Sequence, residues 1–201
     1  DRSRIQLNAY CQHQGKIIGL LWVIRNDESF FISFPKDLLE TIKSRFLMFV
    51  IMSDVVIEDV SSSYNQIGLI DEKQSNGYSI NDRLSLKIEN RTEKTNSKVD
   101  DNIEWTLACI KSFLPEIFMA TREKFVPQML NLDIDEIGVN FSKGCYPGQE
   151  VVARLHYLGS AKRRLFSFKS NQEMLIGDSL YCASSKTALA RGDRYKGSGI
   201  V

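Results

Sequence analysis

The chain has 201 residues, 43% of them hydrophobic and 25% charged, so it is long and apolar enough to bury the core of one sizeable globular domain. Its 26 lysines and arginines nearly balance its 25 aspartates and glutamates, and a net charge of +1 supplies no overall field that would concentrate it on nucleic acid or anionic lipid. The longest apolar run, residues 46–52, is far shorter than the roughly 20 residues of a membrane-spanning helix, so we expect no membrane span.

The elements predicted for the first half of the chain begin with a hairpin. The apolar run 17–24 is followed by the turn residues Asn26 and Asp27 and then by the β-prone segment 30–34. Pro35 suits the first turn of a helix, and apolar residues at helical spacing continue to about residue 49. The elements predicted after this helix are a strand over 55–60 and three modest strands around 64–70, 77–80 and 84–89.

The second half of the chain predicts two helices separated by a long irregular stretch. Residues 90–101 are mostly polar and predict a surface loop, whose last residues would cap a helix over 103–112. Residues 116–144 show no clear periodicity, and long loops of this kind are often functional. The remaining predicted elements are a helix over 148–157 closed by Gly159, with Val151, Val152 and Leu155 facing inward, and strands over 164–169, 175–182 and 199–201.

The four cysteines, Cys11, Cys109, Cys145 and Cys182, lie far apart in the sequence. The paired spacing of zinc and redox-active sites is therefore absent, and we expect no metal site. The chain opens at Asp1 without a secretory leader, and its final predicted strand stops without a partner after it. These features predict a fragment of a longer protein that works in a reducing, cytoplasmic compartment.

The segment richest in chemical information is Lys-Gly-Cys-Tyr-Pro-Gly-Gln-Glu, at residues 143–150. Two glycines and a proline within it impose an unusual backbone path, and Cys145 lies just before a predicted helix start. The positive end of that helix and the ammonium group of Lys143 would both favour the thiolate form of Cys145. The alternative is that Cys145 only packs in a tight turn.

This segment resembles the K-G-C-Y-x-G-Q-E signature of the YgfZ family, which is related to the aminomethyltransferase (T-protein) of the glycine cleavage system. The similarity extends upstream over 125–132 and downstream over 152–154, Gly159 and 162–163, and more weakly to the Gly15–Lys16 hairpin and to 35–59. All seven specified positions of the signature are present: Lys143, Gly144, Cys145, Tyr146, Gly148, Gln149 and Glu150.

The resemblance implies an α+β fold of the aminomethyltransferase type, with antiparallel sheets and helices, followed by a partial C-terminal β-barrel. The folate-binding domain would occupy residues 1–161, with its N-terminal part missing, and the barrel would begin in residues 162–201. The region 61–101 is shorter than the resemblance leads us to expect.

The resemblance also implies a folate pocket that includes Trp105, whose ring could stack on the pterin of a tetrahydrofolate or a derivative. Gln128 and Asn131 could pair with the polar edge of that ring. The alternatives are a core role for Trp105 and a loop-supporting role for the two amides. Phe113, which replaces a small residue usual in the family, would narrow the pocket, and Trp22 in the early hairpin is expected to respond little to the ligand.

The implied function is that of a cytoplasmic monomer that binds folate and supports iron–sulfur enzymes or their assembly proteins, and hence tRNA methylthiolation. Cys145 would serve as an accessible thiol, with no classical catalysis required. One alternative is a folate-dependent aminomethyltransferase, against which the signature argues. A second alternative is an RNA-binding adaptor that works without folate.

The adaptor alternative depends on one dense basic cluster. Its cations could contact RNA phosphates or the glutamate tail of folate, although a solvated strand face is the commoner explanation. Because adjacent strand residues alternate between two faces, we expect weak direct binding and an indirect link to tRNA. The cluster comprises Arg154, Lys162, Arg163 and Arg164, with His156 and Tyr157 interleaved.

Overall fold

The computed structural model of the chain describes residues 5–71, 77–91, 103–134, 137–159, 161–171, 173–181, 188–191 and 198–200. It shows an α+β protein built from antiparallel sheets and a few helices, as predicted. Among the helices that it describes, none is long and apolar enough to cross a bilayer.

The first sheet has three antiparallel strands in the order β1-β2-β3. The predicted hairpin is confirmed as β2 (Ile17–Asn26) and β3 (Ser29–Ser33), and Asp27 in the turn has a φ of 46°. A further strand that was not predicted, β1 (Ile5–Cys11), pairs with β2 along its whole length. Its alternating side chains include Leu7 and Cys11, which are both buried.

The helix predicted after Pro35 is confirmed as a short 3-10 turn (Lys36–Leu38) followed by α1 (Leu39–Leu47). Leu38 and Ile42 are fully buried in the core beneath the first sheet. Helix α1 approaches β2 closely at Gly19, where an added Cβ would lie 2.9 Å from Cδ1 of Ile42. The absence of a side chain at Gly19 therefore lets the helix settle on the strand.

The strand predicted over residues 55–60 is wrong, because residues 48–63 contain no strand. Val55 and Val56 are exposed, Val56 by 78%, and no strand among the described residues pairs with their backbone. A β-prone sequence needs such a partner to form a strand, because the ladder hydrogen bonds provide its regular structure.

The three modest strands predicted next are confirmed and form the second sheet, in the order β4-β6-β5. The predicted helix after them is α2 (Ile103–Lys111), in which Cys109 and Ile110 are buried and Ile103 is exposed. The predicted cap at 100–102 and most of the polar loop lie outside the described residues. The strands are β4 (Tyr64–Ile70), β5 (Tyr78–Ser79) and β6 (Leu84–Asn90).

The described residues of the long stretch after α2 are mostly irregular, as predicted, and include a 3-10 turn at Pro127–Leu130. It leads into α3 (Gln149–Leu158), which ends at Gly159. On α3, Val152 is fully buried, as predicted. Val151 is 40% exposed, so the prediction that it faces inward is wrong.

The C-terminal strands form two antiparallel pairs, β7 with β10 and β8 with β9. The predicted strand over 164–169 is shorter than expected, because residues 164–166 precede it without strand structure. The barrel and the boundary between residues 161 and 162 stay predictions. The strands are β7 (Ser167–Lys169), β8 (Ser179–Tyr181), β9 (Ala188–Arg191) and β10 (Ser198–Ile200).

Two clusters of buried side chains fill the molecule. The larger cluster joins the first sheet to α1, the irregular stretch and α3. The smaller one contains Leu84, Cys109 and Leu114, with Trp105 packed against it. Trp22 of β2 packs against both clusters, so it marks the place where they meet.

Candidate functional site

The turn before α3 is fixed by a close contact with the β1–β2 hairpin. Gly148 precedes the helix with a φ of 84°, a left-handed conformation that favours glycine. An added Cβ at Gly148 would lie 2.4 Å from the carbonyl oxygen of Gln12 and 2.8 Å from Cα of Gly15. The second glycine of the signature is therefore required by packing of backbone on backbone.

Gln149 closes the same turn through both its backbone and its side chain. Its backbone N–H donates to the carbonyl oxygen of Tyr146 at 3.1 Å, and its Oε1 accepts from the N–H of Tyr146 at 3.3 Å. Glu150 is exposed in the first turn of α3, where a carboxylate is stabilised by the positive end of the helix. These two signature residues thus build the turn and the start of the helix.

Lys143 and Tyr146 interact electrostatically with the buried thiol of Cys11. The Nζ atom of Lys143 is 4.9 Å from the centre of the Tyr146 ring. Burial raises the pKa of Tyr146, and its hydroxyl has no hydrogen-bond partner within the described part of the chain. Burial also raises the pKa of Cys11 to about 12, against an opposing effect of the Lys143 ammonium. The charge of Lys143 therefore acts on Cys11 and on the ring of Tyr146.

Gly144 and Cys145 form the open part of the turn. Cys145 is exposed, whereas Cys11 and Cys109 are buried, and Cys182 lies outside the described residues. Nothing lies within 4 Å of an added Cβ at Gly144, so packing does not explain this glycine. The signature thus has a structural part and an exposed part, and the thiolate character of Cys145 stays a prediction.

Trp105 lines a cavity of about 180 Å³ between the first sheet (β1-β2-β3) and the second sheet (β4-β6-β5). Its ring covers Gly68 of β4, where an added Cβ would lie 2.4 Å from the ring. Trp22 of the early hairpin lines the same cavity. The other lining residues are Ser33, Phe34, Pro35, Gln66, Ile80, Leu86, Cys109, Leu114 and Glu116.

Gln128 and Asn131 hold the irregular stretch in place and are not among the residues that line this cavity. The buried Nε2 of Gln128 donates to the carbonyl oxygen of Val152 at 2.7 Å, and Nδ2 of Asn131 donates to that of Leu165 at 3.1 Å. The Oε1 and Oδ1 atoms of these amides are buried without a partner among the described residues. The amide nitrogens thus tie the irregular stretch to Val152 and Leu165.

The basic cluster is divided by the fold. Arg164 turns inward, where it donates to Asp133 at 2.6 Å and to the carbonyl oxygen of Gln128 at 2.9 Å. Lys162 and Arg163 are exposed. None of the three lies in a strand, so the expectation that they alternate between two strand faces is wrong.

Comparison with known proteins gives a consistent set of relatives, although no model of a known protein family matches the chain. An uncharacterized protein of Haemophilus influenzae is 34% identical over 185 residues, which cover 87% of this chain and 64% of that protein. The tRNA-modifying protein YgfZ of Vibrio atlanticus is 26% identical over 219 residues, or 96% of this chain and 66% of the relative.

A third relative is the tRNA-modifying protein YgfZ of Colwellia psychrerythraea. It is 27% identical over 202 residues, which cover 85% of this chain and 62% of the relative. The chain therefore spans less than two thirds of the length of these three relatives.

Proposed function

This chain belongs to the YgfZ family, and on that premise we propose that it binds a tetrahydrofolate or a derivative and supports iron–sulfur enzymes that modify tRNA. The observation that carries the folate part is the cavity between the two sheets, which Trp22 and Trp105 both line. Two aromatic side chains at one concave site suit a flat heterocycle, because aromatic rings attract each other beyond the effect of burial.

The size of the cavity indicates which part of a folate it would hold. Its volume of about 180 Å³ is below the roughly 300–1,000 Å³ of pockets that enclose a drug-sized ligand. We therefore place only the pterin ring inside, with the aminobenzoyl and glutamate groups outside the cavity.

The polar lining of the cavity supports this placement. Glu116 supplies a carboxylate that accepts hydrogen bonds, and a pterin carries N–H donors on one edge. Ser33 donates a hydrogen bond to Gln66 and so joins the two sheets at the cavity wall. In this arrangement Trp105 contacts the ligand, while Gln128 and Asn131 hold the irregular stretch that follows α2.

The exposed half of the signature supports the second part of the proposal. Cys145 presents a thiol on a turn that the Gly15–Gly148 contact holds in place, and Gly144 leaves open space beside it. We assign to this thiol the contact with the iron–sulfur enzyme or its assembly protein. Such a role requires access to Cys145 and no classical catalysis by this chain.

Titration with tetrahydrofolate tests the folate part. Because both tryptophans line the cavity, the ligand should quench the emission of each, and Trp105→Phe and Trp22→Phe should each lose part of the quenching. Bound folate should also raise Tm, since a ligand that binds only the native state stabilises it by mass action.

The matched control is Phe30→Leu, which changes an aromatic side chain that is 62% exposed on β3 and lies outside the cavity lining. It should titrate like the wild type. If neither tryptophan variant reduces the quenching, the cavity is not the folate-binding site. If the wild type shows neither quenching nor a Tm shift, the chain does not bind folate.

A further inference from the structure

The positive charge of the chain is concentrated around α3. Residues 137–171 contain six lysines and arginines against a single carboxylate, that of Glu150, although the whole chain has a net charge of only +1. Arg164 is paired with Asp133, but Arg154, Lys162 and Arg163 are exposed and form no ion pair within the described part of the chain. The protein therefore has a local positive electrostatic field around α3, although its overall charge is almost neutral.

The same region carries an exposed aromatic cluster at the end of α3. The rings of Phe141 and His156 are stacked, with their centres 3.8 Å apart and their planes 19° apart. Tyr157 meets both edge-on, at 4.7 Å from His156 and 6.1 Å from Phe141, and is 68% exposed. These contacts hold the ring of Tyr157 in a defined orientation at the surface.

The cations lie close to the rings along the chain. Arg154 and Tyr157 are three residues apart on one helix, so they are neighbours on its surface. Lys162 follows Tyr157 by five residues, which places its Cα within about 18 Å by chain length alone. The α3 surface comprises Phe141, Arg154, His156, Tyr157, Lys162 and Arg163.

We propose that the α3 surface binds single-stranded RNA, with an unpaired base stacked on Tyr157 and the neighbouring phosphates held by Arg154, Lys162 and Arg163. Single strands are recognised by this combination, in which aromatic faces take the bases and cations follow the backbone. An acidic protein would be attracted by the charge but would not need the aromatic cluster. The proposal makes the contact with RNA direct and does not depend on the folate cavity.

Fluorescence anisotropy with the full chain tests this proposal, with a short single-stranded oligoribonucleotide and an unmodified tRNA transcript as probes at ~50 mM salt. Tyr157→Ala should weaken binding about fivefold or more, because stacking on one aromatic side chain contributes that much per base. Tyr157→Phe should retain binding because it keeps the ring. Arg154→Gln should reduce the slope of log affinity against log salt by about 0.7.

Two exposed residues outside the α3 surface give matched controls. Phe30→Ala removes an aromatic ring from β3, and Lys111→Gln removes a cation from the end of α2. Both should bind RNA like the wild type, and retained far-ultraviolet circular dichroism would show that each variant is folded.

Three results would overturn the proposal. They are no binding of either RNA at low salt, an equal loss of affinity in Tyr157→Ala and Phe30→Ala, and displacement of RNA by poly-L-glutamate with Tyr157→Ala binding like the wild type. The last result would identify a surface for acidic protein. A chain that binds RNA but gives no folate titration would refute the folate cavity and leave the α3 surface standing.

Discussion

Two glycines that face close neighbours show how differently the two halves of the molecule are packed. At Gly148 the start of α3 meets the β1–β2 hairpin, and the nearest atoms belong to the backbone. At Gly68 the neighbour is the ring of Trp105, which borders a cavity. The first contact leaves no freedom to adjust, whereas the second lies beside free volume. The protein is therefore rigid where it presents the signature turn and adaptable where we place the ligand.

The comparison predicts its largest effect for Gly148→Ala. The new Cβ would lie 2.4 Å from a carbonyl oxygen, and alanine would have to adopt a φ of 84°. Backbone strain and overpacking together should lower the free energy of unfolding by about 3 kcal/mol. Urea denaturation followed by circular dichroism measures this change.

Gly144→Ala is the matched control within the same turn. Nothing lies within 4 Å of its Cβ, and Gly144 is not among the residues with positive φ, so the free energy of unfolding should change by less than about 0.5 kcal/mol. If Gly148→Ala and Gly144→Ala destabilise the protein equally, the backbone contact at Gly148 is not the constraint on this turn.

Gly68→Ala should have an intermediate effect. The Trp105 ring must move away from the new methyl group, and the cavity gives it somewhere to go, so the expected cost is about 1–2 kcal/mol. The displaced ring should shift the tryptophan emission maximum and weaken the folate-induced quenching. An unchanged emission spectrum together with a loss near that of Gly148→Ala would contradict the adaptable cavity.

The smallest expected effect is a difference in the alkylation rates of the cysteines, which is measured in the folded protein. With limiting iodoacetamide at neutral pH, Cys145 should be alkylated at least about tenfold faster than Cys11 or Cys109, because it is exposed and they are buried. Since burial raises the pKa of Cys11 to about 12, its thiol stays protonated until the pH approaches that value. Its labelling should therefore remain low from pH 7 to 9.

Mass spectrometry of the labelled peptides ranks the thiols, and labelling in urea provides the control in which all of them are accessible. Alkylation of Cys11 as fast as that of Cys145 in the native protein would mean that the turn opens readily. That outcome would remove the contrast between the rigid junction and the adaptable cavity.

Local sequence patterns predicted the elements whose partners are close in the chain. The hairpin β2–β3 follows from two β-prone runs around Asn26 and Asp27, and α1 follows from Pro35 and helical spacing. The predicted strand over 55–60 is wrong because a strand needs a pairing partner, and the described part of the chain supplies none at this position. The position of Trp22 could not be predicted for a similar reason, since its neighbours Gln66 and Trp105 come from distant parts of the chain.

The sequence by itself determined the α+β class, the family resemblance and the signature segment 143–150. Only the tertiary structure divided that segment, because the contact of Gly148 with Gln12 and Gly15 joins residues more than 130 positions apart. It likewise brought Cys11 under the influence of the Lys143 charge, turned Arg164 onto Asp133 and stacked Phe141 on His156. Motifs are local and can be read along the chain, whereas the burial and electrostatic environment of a side chain depend on which distant segments pack around it.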